Sequence, residues 1–346
     1  MKKILFPMML LLLVGAGALP QSSIPVPPSA PFACTSFAVY TDQPLYGMNF
    51  DYPEVDVRFT ITTSGDKKIF QMEFMQEGEF VPTVGMNNAG LFASCQMLFP
   101  EVEPSAGSEG KDVYTWQVYR EALSNFNSVT DVYAYLQDRR VLHWGVTLHD
   151  LIADEAGDAM VVEVGEKENL ITLMEGDFLV MTNFPVAEYQ GGSYEDVEGA
   201  GADRYIAAYE NIQENPSAFQ VNQALETLEL ALSGGEWPTQ ASMVFDPLMD
   251  EVFIALKGDF TRIWKVSIED EIIETHAGFG EAFQMPFGPS GVLASDLAGA
   301  SAVSGLPWGI AIALVIVIVG VGVFLLARLR RGDGWSEQLA QSEESE

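Results

Sequence analysis

The groups in this 346-residue chain that could carry covalent or acid–base chemistry are few: two cysteines, three histidines and a large excess of carboxylates. Cys34 stands at the front of a strand-like stretch, CTSFAVYT, and a turn then leads to a second stretch, GMNFDYP, that holds Asp51. The segment before Cys34 reads as removable. If it is removed, Cys34 becomes the first residue, and its own α-amine, with a reference pKa of roughly 8, lies within reach of the thiol as a base. Such a nucleophile needs no catalytic histidine. His143, His149 and His276 show no metal-binding spacing and read as structural, and no metal or cofactor is expected. Cys95 alternates with Ser94 and Gln96 along a strand, so it is expected to face away from the side Gln96 presents and to remain a free thiol rather than bridge to Cys34. Trp116, Trp144 and Trp237 read as core residues.

The surrounding sequence explains why Cys34 could become a terminus. Residues 1–18 carry two lysines, an apolar run and Ala16-Gly17-Ala18, the layout of a signal peptide with its cleavage site. Residues 19–33 are rich in proline and serine and read as a propeptide or linker. At the other end residues 308–327 are continuously apolar, long enough to cross a bilayer as one helix, and Arg328, Arg330 and Arg331 follow. By the positive-inside rule the tail 328–346 is cytoplasmic and the body extracytoplasmic, a single-pass cell-membrane protein anchored by its own C-terminal helix. Residues 286–307, rich in Gly, Ala, Ser and Pro, are expected to form a flexible linker. A net charge of −32 argues against nucleic acid as a partner, and a 48% hydrophobic composition is that of a globular chain. An oligomer is left open.

Residues 34–285 then form one ectodomain of α+β character. TSFAVYT, RFTITTS, KKIFQMEF and GLFASCQML have strand periodicity. TWQVYREALSNFNSVTDVYAYLQD changes to helical spacing, broken near Asn125–Asn127. GVTLHDLIADEAGDAMVVEV predicts a hairpin turning at Glu155–Asp158, DRYIAAYENIQ and NQALETLELALS a pair of helices, and ASMVFDPLMDEVFIALK and TRIWKVSI a further hairpin and strand. This order suits two antiparallel sheets packed face to face with helices outside them.

In order and spacing, CTSFAVYT with GMNFDYP, GMNNAGL, LHDLIADEAGDAMVVE, MTNFP, DRYIAA and TQASMVFD resemble the N-terminal-nucleophile (Ntn) hydrolases of the choloylglycine hydrolase group. That group includes bile salt hydrolases, penicillin V acylases, acid-ceramidase-like amidases and the isopenicillin N acyltransferase branch. The resemblance implies an αββα four-layer sandwich and cleavage of a linear C–N amide bond in a small N-acyl amide through a thioester. It also implies roles: Cys34 as nucleophile, freed by autocatalytic loss of the preceding segment; Asp51 as the carboxylate that holds the α-amine; Asn183 as an oxyanion donor, with Gln96 as a second; and Arg204 as the late arginine of the family. Met48 stands where bile salt hydrolases have an arginine, which moves the expectation towards the acyltransferase branch and leaves a catalytically silent binding ectodomain open. Met48, Phe50, Met97 and Phe99 are expected to line a pocket for an apolar acyl group, and loops 53–58, 99–112 and 184–200 to set its specificity.

Overall fold

A computed structural model describes residues 33–103, 111–143, 145–215 and 219–303. In chain order the strands are β1 (Ala33–Val39), β2 (Leu45–Asp51), β3 (Val57–Ser64), β4 (Lys67–Gln76), β5 (Glu79–Asn87) and β6 (Phe92–Met97). After the short β7 (Asp112–Tyr114) come helices α1 (Thr115–Asn125) and α2 (Val129–Leu136), then the short β8 (Arg140–Leu142). Strands β9 (Leu148–Ala153), β10 (Ala159–Val164), β11 (Asn169–Leu173) and β12 (Phe178–Met181) precede helices α3 (Ala202–Glu214) and α4 (Val221–Leu230). The last part is β13 (Thr239–Asp246), β14 (Glu251–Leu256), β15 (Asp259–Ser267), β16 (Ile272–Ala277), β17 (Gln284–Pro286), β18 (Val292–Leu293) and α5 (Ala294–Val303).

Two eight-stranded sheets account for most of this. The first runs β12-β1-β2-β13-β14-β15-β16-β17 and the second β11-β10-β9-β6-β5-β4-β3-β18, each pairing antiparallel throughout. Strand alternation decides which side chains meet between them. Cys34 and Ala38 of β1, Tyr46, Met48 and Phe50 of β2, Phe92 of β6, Leu151 and Ala153 of β9 and Met243 and Phe245 of β13 form the core shared by the two sheets. The opposite faces take the helices. Phe37, Val39 and Val244 pack under Ala208 and Ile212 of α3 and Leu228 of α4, while Ala93, Cys95, Ile152 and Val162 pack under Val118 and Leu123 of α1 and Val132 of α2. Helix, sheet, sheet and helix therefore stack as the expected four layers. Gly47 is one price of the close packing: a Cβ there would drive into the ring of Phe37, its register partner on β1.

Local pattern carries through well. The helical stretch breaks between Asn125 and Val129, and the predicted hairpins are β9–β10 and β13–β14. The expected flexible linker is corrected over part of its length. Val292 and Leu293 pair with Phe59 and Arg58 of β3, and Val292 and Leu297 are buried in the inter-sheet core. The contact is made by these two apolar side chains, while Ser295, Ala298 and Gly299 stay exposed. The expected signal peptide and transmembrane segment lie outside the described residues, as does nearly all of the propeptide; among the described residues no helix is long and apolar enough to cross a membrane.

Candidate active site

Cys34 is the second residue of β1, at the end of the first sheet where β1, β2 and β13 bring Ala33, Asp51 and Thr239 into register. Its side chain enters the inter-sheet core and is buried. Its backbone N–H does not end in the sheet ladder: it donates to Asn183 Oδ1 at 2.9 Å, across 149 positions of sequence. Asn183 follows β12, the neighbour of β1 on its other side, so the pairing of those strands delivers it.

Arg204 holds the two together. It lies in the first turn of α3, where a cation opposes the helix dipole, a placement that needs a local reason. Its Nη2 donates to Asn183 Oδ1 at 2.8 Å. Its Nη1 donates to the carbonyl of Cys34, to Thr35 Oγ1 at 2.8 Å and to Asp51 Oδ2 at 3.3 Å. Thr239 donates to the other carboxylate oxygen, Oδ1 of Asp51, at 2.5 Å. Gly201 permits this approach. It caps α3 in a left-handed conformation, φ 79°, and a Cβ on it would collide with the guanidinium of Arg204.

The electrostatics follow from burial. Asp51 is fully buried, and loss of water pushes its carboxyl up to about 7, against the opposing pull of Arg204 and the Thr239 hydrogen bond. Burial and the Asp51 charge push the Cys34 thiol up to about 12, with Asp51's backbone amide and Arg204 working the other way. At pH 7 a thiol at about 12 is ionised in roughly one molecule in 10⁵, so any reaction through this thiol needs a base beside it.

The structure thus brings Cys34, Asp51, Asn183 and Arg204 together. Asn183 is turned differently from the simple donor expected of it: its carbonyl oxygen takes Cys34 and Arg204, while its Nδ2 donates to Met97 O at 2.9 Å. An amide Nδ2 carries two hydrogens, so the bond to Met97 leaves one for a substrate oxygen. Gln96 is placed one same-face step deeper than Cys34, its amide donating to Ser36 Oγ. Phe50 is the register partner of Cys34 and packs against Tyr52 and Phe74, and Met48 lies buried on the same face. Met97 is corrected: strand alternation puts its side chain on the face away from Gln96, and its carbonyl is what reaches the site. Phe99 is half-buried, and its N–H donates to Asn183 O at 2.8 Å. Cys95 is a free thiol in the layer under α1, as its alternation predicts.

Sequence reasoning missed Thr35, Thr239 and Gly201, which serve through contacts that no local pattern announces. It also set Trp237 in the core, whereas the ring meets Tyr52 edge-on at the site end of the sandwich. The one local signal available was the arginine at the wrong end of a helix.

The model of the linear amide C–N hydrolases, choloylglycine hydrolase family, matches residues 61–209, a stretch that includes Asn183 and Arg204. The structure of a mutant conjugated bile acid hydrolase from Clostridium perfringens is similar with a TM-score of 0.56 at 17% identity, covering 74% of this chain and 98% of that one. Penicillin V acylase from Agrobacterium tumefaciens is similar with a TM-score of 0.53 at 16% identity, covering 70% and 90%. These likenesses show the fold. No curated protein matches in sequence. Over residues 61–209 the chain is therefore similar to the linear amide C–N hydrolases of the choloylglycine hydrolase family, and its fold is the one that the bile acid hydrolase and penicillin V acylase structures share.

Proposed function

We propose that this is a membrane-tethered, extracytoplasmic hydrolase of N-acyl amides that works through Cys34 as an N-terminal nucleophile. The observation that carries the reading is the treatment of one backbone nitrogen. A strand N–H is ordinarily spent on its neighbour, whereas that of Cys34 is held by a side-chain oxygen that a buried arginine also grips. This is a cradle built for a nitrogen with a second duty.

In maturation the Cys34 thiol adds to the carbonyl carbon of Ala33. The Ala33–Cys34 C–N bond breaks, a thioester forms, and the nitrogen leaves as the α-amine. Water then cleaves the thioester, releases the preceding segment and returns the thiol. In turnover the α-amine takes the thiol proton and the thiolate attacks the substrate carbonyl. The remaining N–H of Asn183 donates to the oxyanion. Collapse expels the leaving amine, which takes the proton from the α-ammonium, and water activated by the α-amine releases the carboxylic acid. Arg204 holds the Cys34 carbonyl and Asp51, and Asp51 supports the charge that develops on the amine. Met48 leaves the place of the bile salt hydrolase arginine without a cation, and Arg204 on Asp51 is the cation that the proposed mechanism uses.

Phe50 and Met48 beside Cys34 favour an apolar acyl group. The test is intact mass and N-terminal sequencing of wild type and Cys34→Ala. Wild type should begin at Cys34 and the variant should retain the preceding residues. An alanine variant cut at the same bond would rule out self-processing, and a wild type that never begins at Cys34 would rule out the mechanism.

A further inference from the structure

Glu163, near the end of β10, is buried on the face that looks into the sandwich, where a carboxylate persists only if it is paired or well hydrogen-bonded. Its Oε1 accepts the N–H of Val186 at 2.8 Å and its Oε2 that of Ala187 at 2.9 Å. His149 Nδ1, on the adjacent strand β9 and in register with Glu163, lies 3.2 Å from Oε1. Both carboxylate oxygens already accept backbone N–H groups, so in this contact Nδ1 is placed to donate. The other ring nitrogen, Nε2, has no hydrogen-bond partner among the described residues. His149 therefore acts on the carboxylate alone.

Val186 and Ala187 follow Asn183-Phe184-Pro185 directly. The same turn is gripped from its other flank, where Phe99 N–H donates to Asn183 O at 2.8 Å and Asn183 Nδ2 to Met97 O at 2.9 Å. Between these grips stands Asn183 Oδ1, on the nitrogen of Cys34. Tying a turn needs no buried charge, since neutral backbone or side-chain groups do so without the desolvation cost. Charge-assisted bonds are shorter and stronger, and they suit a turn whose angle matters.

We infer that Glu163, oriented by His149, is a positioning residue that sets Asn183 against the reacting nitrogen of Cys34. The inference rests on the reading of Cys34 as an N-terminal nucleophile.

The experiment uses the full chain with Glu163→Gln, Asn183→Ala, their double variant, His149→Asn and His149→Leu. Two readouts are taken between about pH 5 and 9: turnover of an N-acyl aminocoumarin, and the rate of Cys34 alkylation by iodoacetamide followed by intact mass. Glu163→Gln should lower kcat about 10–100-fold with KM changed less than about threefold, the signature of lost geometry in the reacting centre. It should also move the acid limb of the alkylation profile to lower pH, because Asn183 Oδ1 favours the ammonium form of the amine. In the Asn183→Ala background Glu163→Gln should add less than about twofold, as expected of residues acting in one path. His149→Asn, which keeps a donor near the place of Nδ1, should stay within about threefold of wild type, and His149→Leu should show the loss. Additive losses in the double variant, or a Glu163→Gln protein that melts lower while its acid limb stays put, overturn the inference. A wild type that shows the acid limb but turns over no amide defeats the proposed activity and leaves the positioning to be decided by the alkylation profiles. A wild type with no acid limb defeats both.

Discussion

Removing the guanidinium at Arg204 should produce a stability loss that grows with pH, and its size follows from Asp51. In the unfolded chain that carboxyl titrates near 3.9, and in the fold burial raises it to about 7. Between those values the folded protein holds a proton that the unfolded chain has lost, so stability falls as pH rises, by about 1.4 kcal/mol per unit. The fall is roughly 4 kcal/mol in total and ends near pH 7, where Asp51 ionises beside Arg204. In Arg204→Met the cation that favours ionisation is gone and Asp51 stays protonated at higher pH. Its stability should therefore keep falling where the parent has levelled off. The difference between the two should widen by about 1.4 kcal/mol per unit above pH 7, reaching roughly 2 kcal/mol at pH 8.5, on top of a pH-independent loss from the bonds to Cys34, Thr35 and Asn183. Urea denaturation at about pH 6, 7, 8 and 8.5, in a Cys34→Ala background so that processing does not alter the chain, measures that difference. Adding Asp51→Asn should abolish its slope. A difference that is flat with pH, or a slope that survives Asp51→Asn, would show that Asp51 does not titrate against Arg204 and that the buried pair is misassigned.

Other outcomes are expected on the same grounds. On the proposed mechanism Asn183→Ala should lower kcat by roughly 10²–10³ in a substrate-release assay, since it would remove the proposed oxyanion donor together with the acceptor on Cys34; rates within a factor of two of wild type would remove Asn183 from the mechanism. Asp150, fully buried beneath α1 and raised well above the usual carboxylate range by burial, should make stability fall as pH climbs past about 4. Asp150→Asn should flatten that dependence in denaturation curves, with its advantage vanishing below about pH 4. For topology, limited proteolysis of sealed cells should release a fragment that keeps β18 and α5, because Val292 and Leu297 are part of the core, while a tag after Glu346 stays protected. A fragment ending before Val292 would contradict that packing.

What the sequence determined by itself is what depends on near neighbours. The break between α1 and α2, the turn at Glu155–Asp158 and the outward placing of Cys95 are consequences of periodicities of 3.6 and 2 and of local turn chemistry, which act within a few residues. The family resemblance assigns Asp51 to Cys34, and the structure places the two on adjacent strands joined by one turn. Tertiary structure decided the rest. Asn183 and Arg204 are expected at the site through the family resemblance alone, since they reach Cys34 across 149 and 170 positions and nothing in a window of sequence says which strand will lie beside β1 or which helix end will cover it. The same limit made residues 286–307, rich in Gly, Ala, Ser and Pro, an expected tether: Val292 and Leu297 are scattered apolar residues in that window, and only the presence of β3 opposite them gives them surface to bury. Asp51 shows the division most clearly. Its place in GMNFDYP marks it as a candidate, but its titration near 7 belongs to the layers that close over it, because the cost of desolvating a charge is set by whatever excludes the water.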